Sequence, residues 1–115
     1  MLPSEISKQE FVDARGVSPF ANWFNFLDPV AAAKVTVAIS RLERGATSNV
    51  KGVGSGVLEF RIDFGPGYRI YFGRDGERLV ILLAGGTKRR QDADIAEAKV
   101  RWADYKTRRP RTTAR

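Results

Sequence analysis

The residue types with the clearest chemical potential in this chain of 115 residues are arginine and tyrosine side chains that alternate with apolar ones. Arg61 stands between Phe60 and Ile62, and Arg69 and Tyr71 alternate with apolar residues in the same way. Because side chains alternate across a strand, we expect these three polar side chains to share one open face of a sheet. Arginine binds phosphate through paired hydrogen bonds and aromatic rings stack on bases, so the pattern is typical of a nucleic-acid cleft.

Two lysines extend this constellation. Lys51 lies one expected strand away and Lys88 just after the last expected strand, where each could supply positive charge or relay a proton. A solvated sheet face on which Arg61 pairs with Glu59 or Asp63 would show the same alternation. The alternation alone favours that second interpretation slightly, because charged outer faces are common on antiparallel sheets.

The residue types that are absent narrow the possible chemistry. The chain contains no Cys and no His, which excludes disulfides, Cys/His zinc sites and His-based catalytic triads. Its acidic residues show no metal-binding spacing, so we expect no metal site and no cofactor. The glycine-rich segment 52–56 lies between strand-like segments, which favours a hairpin turn over a phosphate-binding loop.

The charge balance indicates the kind of partner. Lys and Arg total 20 against 13 Asp and Glu, a net charge of +7, which favours a polyanion. No apolar run approaches the length needed to span a bilayer, and the amino terminus does not resemble a signal peptide. We therefore expect a cytoplasmic protein without a membrane partner.

The helices and strands that must position these side chains can be located from capping signals and from the spacing of apolar residues. Ser18-Pro19 and Asp28-Pro29 each place a capping residue before a proline, which predicts two successive helices, the second ending at Gly45. Alternating segments then predict antiparallel strands, and helical spacing after Gly85-Gly86 predicts a last helix. The strands are expected at 50–53, 58–64, 68–72 and 79–84, and the last helix carries Ile95, Ala98, Trp102 and Tyr105. Residues 5–15 fit an edge strand or a coil.

These elements define an α+β fold. We expect two amino-terminal helices to pack on one face of a small antiparallel sheet, with the carboxyl-terminal helix at its edge and the other face open. Residues 1–107 are predicted to form a single domain. Residues 108–115 are basic, contain Pro110 and have no apolar anchor, so we expect a disordered tail.

The motifs also resemble a known family. Phe20-x-x-Trp23, the helix after Asp28-Pro29 and the hairpin over residues 59–72 are similar to the RelE/ParE toxin superfamily. The junction Gly85-Gly86-Thr87-Lys88 and the helix that follows it resemble the HigB-like branch of addiction module killer proteins.

This resemblance implies a RelE-like toxin of a type II toxin–antitoxin system, usually a metal-independent endoribonuclease that cuts mRNA on the ribosome. Its implied partners are a helix-turn-helix antitoxin, mRNA and the ribosome. The implied catalytic residues are Arg61, Arg69, Tyr71 and Lys88, and the implied RNA-binding residues are Lys51, Arg61, Arg69, Lys88, Arg89 and Arg90. The arginines would stabilise charge on the phosphate, while Lys51, Lys88 or Tyr71 would serve as the base.

Two other functions remain open from the sequence. The gyrase-inhibiting ParE branch shares the fold without cutting RNA. A basic module that binds nucleic acid without catalysis would also account for the charge.

Overall fold

Five strands and three α-helices make up the computed structural model, which describes residues 6–108. In chain order they are β1 (Ser7–Glu10), α1 (Pro19–Asn25), α2 (Pro29–Glu43), β2 (Val50–Gly54), β3 (Val57–Ile62), β4 (Tyr68–Arg74), β5 (Leu79–Thr87), a short 3₁₀ turn (Lys88–Arg90) and α3 (Gln91–Arg108). The α+β class expected from the sequence is confirmed.

The first two helices begin where the capping signals predict. The Ser18 hydroxyl accepts a hydrogen bond from the Ala21 amide at 3.0 Å, and the Asp28 carboxylate accepts one from the Ala31 amide at 2.8 Å. Each cap is followed by a proline, whose missing N–H is not needed in the first helical turn. These local signals fix the two helix starts independently of tertiary packing.

The sheet is mixed, with strand order β1-β5-β4-β3-β2. Strands β2 to β5 form the expected antiparallel meander, whereas β1 pairs in parallel with β5. The expectation of a purely antiparallel sheet is therefore wrong at one edge. All four residues of β1 are exposed, so no apolar period marked the strand or its direction.

Both faces of the sheet are covered. Helices α1 and α2 pack on the face that carries Phe60, Ile70 and Phe72. Helix α3 packs on the opposite face through Ala98 and Trp102, and the expectation that it lies at the sheet edge is wrong. The reason is that β5 is apolar on both sides, and its second apolar side, with Ile81 and Leu83, is buried by α3.

Glycines permit the close approach of helices to the sheet. Strand β5 continues through Gly85 and Gly86 rather than ending there. A Cβ at Gly85 would overlap the ring of Trp23 in α1, and a Cβ at Gly86 would overlap the carboxylate of Asp94 in α3. A Cβ at Gly73 would lie 2.5 Å from the ring of Trp102. The packing of helices on both faces of the sheet therefore requires glycine at these positions.

The carboxyl-terminal boundary differs slightly from the expected one. Arg108 was assigned to the tail, but it is the last residue of α3 and donates hydrogen bonds of 2.9 Å to the Asp104 carboxylate and to the Val12 carbonyl. The predicted tail otherwise falls on residues 109–115, which lie outside the described residues.

Candidate nucleic-acid interface

Two rows of polar side chains cross the sheet on the face that α3 covers. Arg61 of β3 lies directly opposite Arg69 of β4, and Glu59 of β3 lies opposite Tyr71. Lys51 of β2 is the partner of Glu59 on its other side. The alternation in the sequence therefore correctly placed Arg61, Arg69 and Tyr71 on one face, and the pairing of β2 with β3 adds Lys51 to it.

Their exposure differs from the expectation. Arg69 is only 3% exposed and Tyr71 is fully buried, while Arg61 retains 47% of its side-chain surface. The first turns of α3, with Gln91 and Asp94, lie over this part of the sheet. The prediction of an open cleft floored by Arg69 and Tyr71 is wrong, because alternation reports which face a side chain is on and not what covers that face.

Glu59 is the centre of the buried part of the site. Its carboxylate is inaccessible to solvent and accepts a 3.1 Å hydrogen bond from the Tyr71 hydroxyl and a 2.8 Å hydrogen bond from the side-chain amide (Nε2) of Gln91. Arg69 Nε lies 4.0 Å from one carboxylate oxygen and Arg61 Nε lies 3.9 Å from the other. Both ion pairs are too long for hydrogen bonds, so they act through charge. One buried carboxylate thus faces both arginines.

Tyr71 is unsuited to the role of general base that the resemblance allowed. Burial, the neighbouring Glu59 carboxylate and the hydrogen bond to it raise the pKa of Tyr71 well above its ordinary value. The phenol therefore keeps its proton and donates a hydrogen bond to the Glu59 carboxylate. In this structure the Tyr71 hydroxyl holds the Glu59 carboxylate in place.

Asp94 adds a second buried carboxyl group. Its side chain lies on Gly86 at 7% exposure, and its Oδ2 atom has no hydrogen-bond partner among the described residues. Burial is the main cause that raises the pKa of Asp94, partly opposed by the positive charges of Arg90 and Arg101. The sequence analysis did not single out Asp94, whose helical spacing shows only that it shares a face with Ala98.

The accessible part of the site is a basic rim, defined here as Arg61, Lys88, Arg89 and Arg90. The three consecutive cations form the exposed 3₁₀ turn between β5 and α3. That turn is attached to the β3–β4 turn by a 2.8 Å hydrogen bond from the Lys88 amide to the Gly67 carbonyl. A surface depression of about 350 Å³ is lined by this turn, Gln91, Asp92 and Ala93. Lys88, Arg89 and Arg90 are thus held where a polyanion can reach them.

Glu59 and Gln91 were not expected as site residues. Glu59 was considered only as a surface ion-pair partner of Arg61, and Gln91 only as part of the family-like junction. The hydrogen bonds that reveal them join positions 12 and 32 residues apart. No local spacing rule could have found these contacts.

Within residues 6–108, no group of three or more acidic side chains is arranged to hold a metal ion. The same part of the chain contains no helix with the length and apolarity needed to cross a membrane.

Comparison with known proteins identifies the family. The model of the family described as "Phage derived protein Gp49-like" matches residues 22–104. The chain belongs to the Gp49-like family. A protein of Haemophilus influenzae, described as uncharacterized, is 44% identical over 82 residues, covering 70% of this chain and 83% of that protein. The Gp49-like match includes every candidate site residue from Lys51 to Asp94.

Proposed function

We propose that this Gp49-like protein is the toxin of a type II toxin–antitoxin module and acts as a metal-independent mRNA endoribonuclease. Membership in a family of candidate addiction-module toxins supports the toxin assignment, as does the sequence resemblance to RelE and HigB toxins. A helix-turn-helix antitoxin, mRNA and the ribosome are the partners that this proposal requires.

The observation that carries the nuclease proposal is the combination of an exposed basic rim with a buried arginine behind it. Arg61 and Lys88 can contact a phosphate from solvent, while Arg69 contributes positive charge from inside the fold. Charge held rigidly in a partly dry site stabilises the transition state of phosphate cleavage more than mobile surface charge does.

The proposed reaction proceeds by attack of the ribose 2′-OH on the adjacent phosphate. The 2′-oxygen forms a new bond to phosphorus as the bond to the 5′-oxygen breaks, giving a 2′,3′-cyclic phosphate and a 5′-OH end. A base must take the 2′-OH proton and an acid must protonate the leaving oxygen. Because the raised pKa of Tyr71 disfavours its deprotonated form, we assign the base to Lys88 or Lys51 among the residues named from the sequence.

Mapping of RNA ends after induction tests this function. We expect the wild-type protein to produce codon-phased cuts with 5′-OH ends. Arg61→Ala should reduce cleavage by about a hundredfold or more, the usual effect of losing one electrostatic contact to the transition state. Arg15→Ala is the matched control, because it removes the same charge from a side chain that is 84% exposed in a different part of the chain. It should cut normally.

The same experiment distinguishes the other two functions. Intact RNA with gyrase-dependent DNA breaks would replace the nuclease with the ParE-like activity. If RNA and DNA both stay intact and the protein binds RNA, the protein is a nucleic-acid-binding module without catalysis.

A further inference from the structure

A second basic surface lies on the other side of β3 from the buried Glu59 network. It is a groove of about 310 Å³ between α2 and the end of β3, called here the α2 groove. The groove exists because β2 stops pairing at Phe60, where Val50 is the last partner. One further backbone hydrogen bond runs from the Arg61 amide to the Asn49 carbonyl. Beyond it, Ile62, the last residue of β3, has no strand paired with it on that side among the described residues.

Cations dominate the rim of the α2 groove. Lys34 and Arg41, both exposed, lie two helical turns apart on α2, which separates their backbones by roughly 10 Å. Arg61 lines the opposite wall, and Asp63 is the one acidic residue among those that line the groove. This excess of positive charge suits an extended polyanion.

The aromatic residues of the α2 groove do not offer a free surface for base stacking. Phe64 is half-buried, with Lys34 Nζ 5.0 Å from the centre of its ring and the Tyr68 ring stacked at 6.5 Å. Phe60 is 3% exposed. Val37, which is 49% exposed, and Asp63 also line the groove and are accessible. The exposed cations and the Asn49 side chain can recognise phosphate and sugar without requiring a base sequence.

Arg61 connects the two surfaces. Its guanidinium faces Glu59 on the α3 side of the sheet, and the residue also lines the α2 groove. We propose that the α2 groove is a binding site for the backbone of single-stranded RNA, which continues from the basic rim around the end of β3 to Arg41 and Lys34. This inference rests on the proposed function, because it extends the RNA path of the same site. Continuity with the rim favours RNA over an acidic protein segment as the occupant.

Binding of uncleavable RNA tests the inference separately from catalysis. The probes are fluorescent 2′-O-methyl oligonucleotides of about 4 and about 16 nucleotides, which span the usual range of single-strand site sizes and cannot undergo 2′-OH attack. We expect Lys34→Ala with Arg41→Ala to weaken binding of the long probe about tenfold. The slope of log affinity against log salt should become shallower by about 1.4, the value for two lost phosphate contacts. Binding of the short probe should not change.

The matched control is Arg74→Ala with Arg78→Ala, which removes the same charge from exposed residues around the β4–β5 turn, at the other end of β4. Equal affinity of the two double variants for the long probe would overturn the inference. So would absence of binding by the wild type, or unchanged RNA binding together with lost binding of a co-expressed antitoxin, which would assign the groove to a protein.

The binding experiment separates failure of the groove assignment from failure of the nuclease proposal. Selective weakening of the long probe in a protein that does not cut RNA would leave the groove assignment intact and reject the catalytic one. Normal RNA cleavage, together with unchanged binding of the long probe by the Lys34→Ala and Arg41→Ala double variant, would keep the nuclease proposal and reject the groove assignment.

Discussion

At the scale of single residues, two arginines that occupy equivalent positions in the sequence pattern differ in their burial. Arg61 and Arg69 are register partners with similar neighbours, yet one is half exposed and the other is almost fully buried beside Glu59. A buried charge depends on its counter-charge, whereas a surface charge is compensated by water. The two side chains should therefore behave differently when removed.

The first prediction concerns this difference. Arg69→Ala leaves the Glu59 carboxylate buried without its inner cation, and we expect a loss of about 3 to 5 kcal/mol in the free energy of unfolding. Arg61→Ala should change it by no more than about 0.5 kcal/mol. Urea denaturation of both variants measures the contrast. Equal stabilities would mean that Arg69 does not compensate Glu59.

The second prediction concerns Asp94 and pH. Because its pKa is raised in the folded protein, the folded state binds more protons than the unfolded state as the pH rises above 3.8. The contribution of Asp94 to the free energy of unfolding therefore decreases as the pH rises, until the pH has passed the pKa of Asp94 in the folded state. The total decrease is about 1.4 kcal/mol for each unit by which the pKa is raised. The isosteric Asp94→Asn change should remove this contribution.

Denaturation midpoints between pH 4 and pH 7 test the Asp94 prediction. The stability of Asp94→Asn relative to the wild type should rise across that range. A difference that stays constant with pH would show that the carboxyl group titrates alike in both states.

At the scale of elements, local signals and distant contacts made different contributions. The caps at Ser18 and Asp28 and the alternation in β3 and β4 were sufficient to predict four elements and to place Arg61 and Arg69 on one face. The position of α3 could not be predicted, because it depends on Trp102 fitting against Gly73, a pairing between distant parts of the chain. The hydrogen bonds of Glu59 could not be predicted for the same reason, because they join residues that are far apart in the sequence.

The third prediction tests how closely α3 approaches the sheet. Gly73→Ala places a methyl group against the Trp102 ring, and we expect it to cost about 1 to 3 kcal/mol through overpacking. Gly52→Ala in β2 is the control, since a Cβ there meets nothing within 4 Å. Thermal denaturation should show a lower midpoint only for the first variant. A similar midpoint for both would mean that α3 packs loosely.

At the scale of the whole molecule, helices cover both faces of the sheet. A ligand can therefore reach the ends of the strands and the outer surfaces of the helices, but not the middle of either sheet face. Among the described residues, clustered positive charge is presented by the basic rim and the α2 groove and not by a flat sheet face. A bound RNA would follow the border of the sheet.

The fourth prediction concerns metal dependence. We expect cleavage of a minimal RNA substrate to continue in excess EDTA, because the chain has no Cys or His and the described carboxylates form no ligand group. The minimal substrate removes the separate magnesium requirement of the ribosome. Activity that disappears with EDTA and returns with magnesium would contradict a reaction carried by arginine and lysine alone.

The parallel pairing of β1 with β5 has a consequence for synthesis of the protein. Ser7 lies beside Leu79, and Arg108 donates to the Val12 carbonyl 96 residues earlier in the chain. Such long-range contacts slow folding. The pairing of β1 cannot form until β5 has left the ribosome, and the Arg108 contact cannot form until α3 has emerged. A nascent chain that still lacks α3 leaves the face of the sheet against which Trp102 packs uncovered, so this half of the core is completed only after α3 has been synthesised.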